Sequence, residues 1–283
     1  MPTPVILRQA TTADFTIVTS FLATSPRMHR HLDWRPPVEW LGSQPFWVAE
    51  ADGRLLAALA LPQDPPGVAW VRLFACAVGV KPMDYWEQLL KCCLEDNALA
   101  DRPIVPSLAL SDWFTTILLR SGFVHHQDVV GLEREVQINN PFLRPNADLF
   151  VRLMEPDDLP AVASIDQAAF EPIWQNSLNQ VRQSYEQAAI ATLAESENEI
   201  VGYQVTTINM FAAHLARLAV KPWLQGHQVG TTLLYDLVQR CRTERLWQIT
   251  INTQDNNLAS LALYRKVGFQ LTGEAFPVYV YRG

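Results

Sequence analysis

Cysteine is scarce in this chain of 283 residues, and long apolar runs are missing. The four cysteines, Cys76, Cys92, Cys93 and Cys241, form no C-x-x-C pair, so the sequence predicts neither a disulfide framework nor a zinc site. The longest apolar run, residues 55–61, is far shorter than the roughly 20 residues that span a bilayer. The first residues also lack the basic and apolar regions of a secretory signal. We therefore expect a cytoplasmic protein without a membrane partner.

Positive charge is also in short supply. The net charge is −7, both halves of the chain are net negative, and no run of Lys and Arg occurs. This pattern argues against nucleic acids and anionic membranes as partners. The histidines at 29, 31, 125 and 126 have no Cys or acidic residues at ligand spacing, so no metal is expected. Mild acidity is compatible with an amine as substrate.

What the sequence does contain is an internal repeat. Four landmarks recur in the same order at offsets of 142 to 146 residues: Arg8 with Arg152, Glu50 with Glu195, Val78 with Val220, and Phe123 with Phe269. Such regular recurrence predicts two copies of one domain. The prolines at 141 and 145 oppose regular structure. We therefore predict one domain over 1–140, a linker over 141–147 and a second domain over 148–283.

The second copy alternates between strand and helix patterns. Apolar spacing predicts helices near 157–169, 177–188, 230–246 and 258–267, and strands near 149–153, 189–194, 200–208, 215–220, 247–252 and 276–281. This order predicts an α/β fold with a mixed sheet. A loop containing glycine joins the central strand, which ends at Val220, to the helix that begins near Gly230.

That loop carries the clearest chemical signal. Gly226 and Gly230 allow the backbone to approach a ligand closely, and the first amides of the following helix have no partner inside that helix. Together with the helix dipole they predict an anion site suited to a pyrophosphate. The sequence matches neither a Walker loop nor the three-glycine dinucleotide pattern. On the loop alone, a purely structural interpretation stays open.

A second motif makes the pattern specific. The segment from Gln225 to Gly230 resembles the Gln/Arg-x-x-Gly-x-Gly/Ala loop of the GNAT superfamily of acyl-CoA-dependent N-acyltransferases. The segment from Asn257 to Phe269 resembles that family's Asn-x-x-Ala-x-x-Leu-Tyr-x-x-x-Gly-Phe segment, with Ser260 in place of the Ala. The resemblance is strong over about 148–283 and weaker over 5–135, so it implies two tandem GNAT-like domains with a degenerate first copy.

The resemblance implies how acetyl-CoA would be held. The strand that ends at Val220 would part from its neighbour, and the pantetheine arm would lie in the gap. The implied binding residues are Leu218, Ala219, Val220, Gln225, Gly226, His227, Gln228, Val229, Gly230, Thr231 and Asn257. Leu218 N–H would polarise the thioester carbonyl, the amides from Gln225 to Thr231 would take the pyrophosphate, and Asn257 would bind the arm or fix the local backbone.

Catalysis would also need a proton donor and a base. The resemblance makes Tyr264 the donor to the leaving CoA thiolate, and core packing is the alternative for its ring. It places His214 where some members carry a glutamate base, and a neutral histidine suits that task at pH 7. A histidine bonded to backbone or solvent, a role for Glu274, and transfer through water stay open.

Three further features of the sequence bear on the loop, the acceptor site and the first copy. Gln228 stands where the family has a middle glycine, and we expect it to keep ordinary backbone dihedrals. Phe170, Trp174 and Tyr279 are candidates for lining the acceptor site, with core packing as the alternative. The first copy has no second glycine after Val78, so we expect it not to bind CoA.

These expectations favour one function over two others. The first is an N-acetyltransferase that moves an acetyl group from acetyl-CoA directly to a primary amine of a small molecule or peptide, as a monomer or homodimer. No cysteine lies near the motifs to carry an acyl group. The alternatives are a CoA-binding sensor or interaction module without turnover, and a scaffold that binds no CoA.

Overall fold

A computed structural model describes residues 4–137 and 144–283. It divides the chain into two compact units, 1–126 with 277–283, and 127–276. The α/β fold class is confirmed. Across the described ranges no helix has the length and apolarity needed to span a membrane.

The described part of the first unit has three α-helices, with a run of four strands between the first helix and the second. Up to residue 126 its elements are β1 (Ile6–Gln9), α1 (Phe15–Thr24), β2 (Arg27–Arg30), β3 (Phe46–Ala51), β4 (Arg54–Ala60), β5 (Leu73–Cys76), α2 (Pro82–Leu94), β6 (Pro106–Leu108), α3 (Asp112–Arg120) and the first residues of β7 (Phe123–Glu135). Short 3-10 helices cover Thr12–Asp14, Pro37–Trp40 and Asn97–Leu99. One sheet has the order β1-β3-β4-β5-β2.

The second unit contains the remaining elements. They are β8 (Phe150–Leu153), α4 (Leu159–Ala169), α5 (Leu178–Gln187), β9 (Ile190–Ser196), β10 (Glu199–Asn209), β11 (Ala212–Val220), α6 (Val229–Thr243), β12 (Gln248–Gln254), α7 (Leu258–Val267) and β13 (Gln270–Tyr281). Short 3-10 helices cover Pro156–Asp158, Pro172–Trp174 and Pro222–Leu224. The strand order is β13-β7-β12-β11-β10-β9-β8. The last strand begins six residues before the predicted Phe276, and β11 begins at Ala212 rather than at Leu215.

The two units repeat one detail at atomic level. In the first, Arg8 forms ion pairs with Asp14 at 2.8 Å and Glu50 at 2.9 Å. In the second, Arg152 pairs with Asp158 at 2.6 Å and Glu195 at 2.7 Å. In each case the Arg lies on the first strand, one carboxylate precedes the first helix and the other lies on the next strand of the sheet. The same arrangement, built from three landmarks at matching offsets, supports the interpretation of an internal repeat.

The contacts do not divide the chain where the sequence predicted. Residues 127–135 of β7 lie in the second unit, where Val129 to Glu135 pair with β12. Residues 277–283 lie in the first unit, where Val278 to Val280 pair with β6. The chain therefore passes between units inside two long strands, and the predicted boundary near 141–147 differs from the contact boundary. Residues 141–143 of that linker lie outside the described residues.

In the first unit, other segments of the chain lie along the edge of β5, and one of them is the strand β2. Ala69 N–H and Val71 N–H donate to the carbonyls of Ile104 and Pro106, at 2.9 and 3.0 Å, so this stretch pairs with the segment that leads into β6. From Leu73 onward β5 pairs instead with β2, antiparallel, with Arg30 opposite Leu73 and Arg27 opposite Cys76. The edge of β5 is thereby occupied by the chain itself.

Candidate active site

In the second unit the equivalent gap is open. Strands β11 and β12 pair in parallel only from Ala212 to Leu215 on the first strand and from Gln248 to Ile251 on the second. Both strands continue beyond this point: β11 stays paired with β10 up to Val220, and β12 stays paired with β7 up to Gln254. The two strands therefore part after Leu215, as expected from the sequence.

The register of β11 shows which backbone groups face the gap. Lys221 N–H donates to the Val201 carbonyl at 2.9 Å, which makes Lys221 and Val201 a hydrogen-bonded pair. Hydrogen-bonded and non-bonded pairs alternate along an antiparallel ladder. Val220 opposite Gly202 and Leu218 opposite Gln204 are then non-bonded pairs. Their N–H and C=O groups point away from β10, towards the gap, which fits the expected role of Leu218 N–H at the thioester carbonyl and of Val220 in binding.

The loop after β11 leaves several amides free. Residues Gly226, Gln228, Val229, Gly230 and Thr231 donate no backbone hydrogen bond within 4–137 and 144–283. The first amide of α6 with a helical partner is that of Thr232, which donates to the Gln228 carbonyl at 2.9 Å. Because these donors lie at the N-terminus of a 15-residue helix, they favour an anionic group.

Two amides of the predicted set are not free. Gln225 N–H donates to the Pro222 carbonyl and His227 N–H to the Leu224 carbonyl, each at 3.3 Å. The first of these bonds closes the short 3-10 turn at Pro222–Leu224, and the second closes the turn that follows it. The expectation that every amide from Gln225 to Thr231 is available was therefore too broad.

The expectation of ordinary dihedrals at Gln228 was wrong. Gln228 is the N-cap of α6 and has φ 65° and ψ 8°, in the left-handed region. Most side chains are strained there, at a cost of about 1 kcal/mol. A glycine would adopt this conformation easily. At Gln228 the conformation places the chain at the start of α6, where the first amides of the helix stay exposed.

These elements enclose a cavity of about 480 Å³. It is lined by residues of β11, the loop, the start of α6 and α7, together with the end of α4. The lining includes Leu218, Ala219, Val220, Gln225, Gly226, Gln228, Val229, Gly230, Thr231 and Asn257, that is, every predicted acetyl-CoA residue except His227. A Cβ on Gly230 would lie 2.8 Å from Leu263 Cδ2, so this glycine allows α6 and α7 to approach. The open gap, the free amides and the backbone-rich lining fit a pantetheine diphosphate.

Tyr264 lies beside the cavity but not in its lining. The ring is 4% exposed on α7 and packs edge-on against Phe269 at 5.8 Å. Burial raises the pKa of its hydroxyl above the usual value, and a hydrogen bond with Ser260 opposes part of that shift. Ser260 does line the cavity. The phenol therefore keeps its proton at neutral pH, which is the form that a proton donor needs.

His214 lies before the strands part. Its Nδ1 is 2.9 Å from the hydroxyl of Thr250, its direct neighbour on β12. The Thr250 hydroxyl also donates to the Ala213 carbonyl at 3.3 Å, so it can accept a hydrogen bond from Nδ1–H of His214. This arrangement leaves the lone pair on Nε2. Burial lowers the pKa of His214, which favours the neutral ring.

Asn257 is the N-cap of α7. Its Oδ1 accepts a hydrogen bond from Ser260 N–H at 3.1 Å, and its Nδ2 is 3.4 Å from Gln254 Oε1. Such a cap satisfies one free amide at the start of a helix. Of the two roles open to this residue, the geometry therefore supports fixing the local backbone, although Asn257 also lines the cavity.

The three acceptor candidates lie in different places. Phe170 lines the cavity at the end of α4. Trp174 lies in the short helix after it and is absent from the lining. Tyr279 is 7% exposed and packs in the core of the first unit, which includes Phe114 and Phe123. Residues 277–283 belong to that unit, and Tyr279 is absent from the lining of the cavity.

A buried ionic cluster next to the cavity was missed by the sequence interpretation. Asp166 of α4 is fully buried, and Arg217 of β11 donates to both of its carboxylate oxygens, from Nε at 2.7 Å and from Nη2 at 2.8 Å. Tyr203 O–H also donates to Asp166. Burial by itself would lower the pKa of Arg217, but the facing carboxylate raises it above the ordinary value. The available signal was a single Arg inside a buried strand, which requires a buried anion.

A family model matches part of the second unit. The model is described as "Acetyltransferase (GNAT) family" and matches residues 159–269, the stretch that contains α4, the open gap, the loop and α7. Over this stretch, which is less than half of the chain, the sequence is similar to that family.

Two curated relatives, both from Bacillus subtilis (strain 168), are similar at low identity. One is named spore coat polysaccharide biosynthesis protein SpsD and is 26% identical over 96 residues, which are 34% of this chain and 33% of that protein. The other is named putative [ribosomal protein bS18]-alanine N-acetyltransferase and is 25% identical over 123 residues, 44% of this chain and 82% of that protein. This chain thus covers only a third of the first relative.

A solved structure matches along nearly the whole chain. It is described as a tandem GNAT protein from the clavulanic acid biosynthesis pathway, and it covers 98% of each chain with a TM-score of 0.60 and 15% identity. At that identity the match shows the fold alone. The expected fold class, an α/β fold of two tandem GNAT-like domains, is confirmed as a fold.

Proposed function

We propose that the protein is an acetyl-CoA-dependent N-acetyltransferase with one active site, in the second unit. The observation that carries the proposal is the combination of an open strand gap, outward backbone groups at Leu218 and Val220, and free amides at the start of α6. The gap accepts an extended arm beside exposed main chain, and the amides and helix dipole stabilise a diphosphate at its end.

Each step has a group in this chain to perform it. Leu218 N–H polarises the thioester carbonyl and stabilises the negative charge that develops on its oxygen. His214 Nε2 takes a proton from the attacking ammonium, directly or through water, because an amine needs a free lone pair to attack. Tyr264 donates a proton to the departing thiolate, whose conjugate acid has a pKa of about 8.5.

The acceptor we propose is a primary amine on a small molecule or a peptide. The relative named for the alanine of a ribosomal protein supports a peptide N-terminus as one such class. In the described part of the chain all four cysteines are free thiols, which fits a reducing compartment, and we place the enzyme in the cytoplasm. Within that same part, no cluster of His, Cys, Asp or Glu suits a metal, and acetyl-CoA is the only co-substrate proposed.

The proposal is tested by binding and turnover together. Calorimetry of the whole protein with acetyl-CoA is expected to give one site per chain, because β2 fills the equivalent gap of the first unit. Thiol release is then followed with a panel that includes 2-phenylethylamine, spermidine and a peptide with an N-terminal alanine. No binding at millimolar acetyl-CoA would sink the proposal, and two equal sites would refute a closed first gap.

A single substitution separates the enzyme from a CoA sensor. Tyr264→Phe should lower kcat by about 10-fold to 100-fold and leave the Kd for acetyl-CoA within about twofold, since the hydroxyl acts on the leaving group and not on binding. Tyr185→Phe on α5 is the control. Binding without thiol release for any amine would favour the sensor, and an unchanged kcat would make Tyr264 a core residue.

A further inference from the structure

The parted half of β11 has lost one of its two sheet neighbours. From Arg217 to Val220 it is paired with β10 alone, because β12 has diverged. Arg217 lies on this stretch, and its side chain reaches Asp166 on α4 through two hydrogen bonds.

The same two side chains also hold the segment that follows α4. Arg217 Nη2 donates to the Trp174 carbonyl, and Asn176 N–H donates to Asp166 Oδ1 at 2.6 Å. The guanidinium carbon of Arg217 lies 3.6 Å from the centre of the Phe170 ring. Residues 170–176 are thus fixed to β11 by one buried pair, and Phe170, which lines the cavity, is fixed in its orientation.

The Arg217–Asp166 pair lies next to the part of the cavity that we assign to the acceptor. The loop amides and Gly230 form the diphosphate end of the cavity, whereas Phe170 and Ala169 line it from α4. Lys266 is the one ionisable residue in the lining drawn from the described chain, and the charges of Arg217 and Asp166 offset each other. The α4 side of the cavity is therefore apolar and aromatic in character.

Resting on the proposed function, we propose that Arg217 and Asp166 are positioning residues for the acceptor: they hold the Phe170 ring beside the parted strand, and the site so formed selects amines carried on an uncharged, apolar or aromatic chain. Such a chain packs on the Phe170 ring without leaving a charge unpaired. A polyamine would bring a second ammonium to a cavity whose lining, among the residues that the structure describes, contains no carboxylate.

The test uses the whole protein, saturating acetyl-CoA and two probes, 2-phenylethylamine and spermidine. Arg217→Lys keeps the charge but loses the two-pronged contact with Asp166 and the stacking on Phe170. It should raise the KM for 2-phenylethylamine about 10-fold, while kcat changes less than about threefold and the Kd for acetyl-CoA less than about twofold. Arg240→Lys is the matched control, because Arg240 makes one ion pair with Asp236 on α6, at 2.7 Å.

A purely structural role would give a different result. In that case Arg217→Lys would lower the melting temperature and the active fraction without raising the KM for 2-phenylethylamine, and the proposal would be overturned. If Arg217→Lys fails to fold, Phe170→Leu replaces it, since this variant keeps the ion pair; it too should raise the KM, and an unchanged KM would overturn the proposal.

The wild-type protein separates this inference from the proposed function. We expect its kcat/KM for 2-phenylethylamine to exceed that for spermidine by at least about 10-fold. Equal values, or a preference for spermidine, overturn the acceptor class while leaving acetyl transfer intact. If the wild-type protein does not bind acetyl-CoA, that result contradicts the proposed function and not this inference alone.

Discussion

At the scale of single residues, the pKa of His214 sets how kcat/KM should depend on pH. Burial lowers its pKa below the ordinary 6.5, and Thr250 leaves Nε2 with the lone pair. The basic form is the neutral ring, so its fraction rises with pH through the lowered pKa.

We therefore expect kcat/KM to show an acidic limb below pH 6.5 that His214→Gln removes, with the rate at pH 7 reduced about 10-fold to 100-fold. Measured pH–rate profiles from pH 4.5 to 8 check this. His126→Gln, an exposed histidine of the first unit, should keep the limb. If the limb persists unchanged in His214→Gln, the base lies elsewhere.

Gln228 offers a stability prediction in the same loop. Its left-handed conformation costs an ordinary side chain about 1 kcal/mol, whereas glycine adopts it freely. Gln228→Gly should therefore raise the free energy of unfolding by about 0.5 kcal/mol after the extra entropy of the unfolded glycine is subtracted. Urea titration measures the difference.

A second glutamine makes a matched control. Gln225 has φ −64° and ψ 145°, an ordinary extended conformation. Gln225→Gly gains no relief of strain and should lower the free energy of unfolding by about 0.5 kcal/mol. Equal effects of the two substitutions would show that the left-handed angle of Gln228 is not strained.

Residue-scale prediction from the sequence succeeded where the signal was local. The loop from Gln225 to Gly230 and the segment from Asn257 to Phe269 placed most of the cavity lining, because both motifs are contiguous in the chain. The Arg217–Asp166 pair spans 51 residues between two elements. Its members are ordinary in their own segments, and only the packing of α4 on β11 brings them together.

At the scale of elements, the helices were predicted more closely than the strand partners. Apolar periodicity placed α7 at 258–267 as the structure has it, and α5 within one residue at each end. Periodicity identifies a strand but does not say which strand lies beside it. The insertion of β2 next to β5 was therefore invisible, although it explains why the first copy has no gap.

The strands β7 and β13 show the same limit more clearly. The predicted domain bounds place residues 123–135 in the first copy and residues 276–281 in the second, yet each of the two strands contributes residues to both units. A strand can pair with any compatible edge, and the choice is made by tertiary structure rather than by its own residues.

At the scale of the whole molecule, this sharing predicts what cleavage does. A site-specific protease sequence inserted between Arg144 and Pro145, which are exposed, separates the chain into two pieces. The N-terminal piece contains residues 127–135 of the second unit, and the C-terminal piece contains residues 277–283 of the first. The pieces should co-elute in gel filtration and keep acetyl-CoA affinity within about threefold, because the strand ladders are uncut.

The uncut insertion variant is the control for that experiment. If the pieces separate without denaturant, the pairing of the shared strands contributes little to keeping the two pieces together. If the pieces co-elute and bind acetyl-CoA until urea is added, and lose both properties in urea, the result agrees with the pairing of Val129 to Glu135 along β12.

The shared strands also set an order for synthesis on the ribosome. The first unit takes its partner for β6 from residues 278–280, so it stays incomplete while more than half of the chain is still being translated. Until then the edge of β6 is an open strand edge, the kind of surface that recruits chaperones or pairs with neighbouring nascent chains. The yield of active protein should thus depend on translation speed through the second half more than the first.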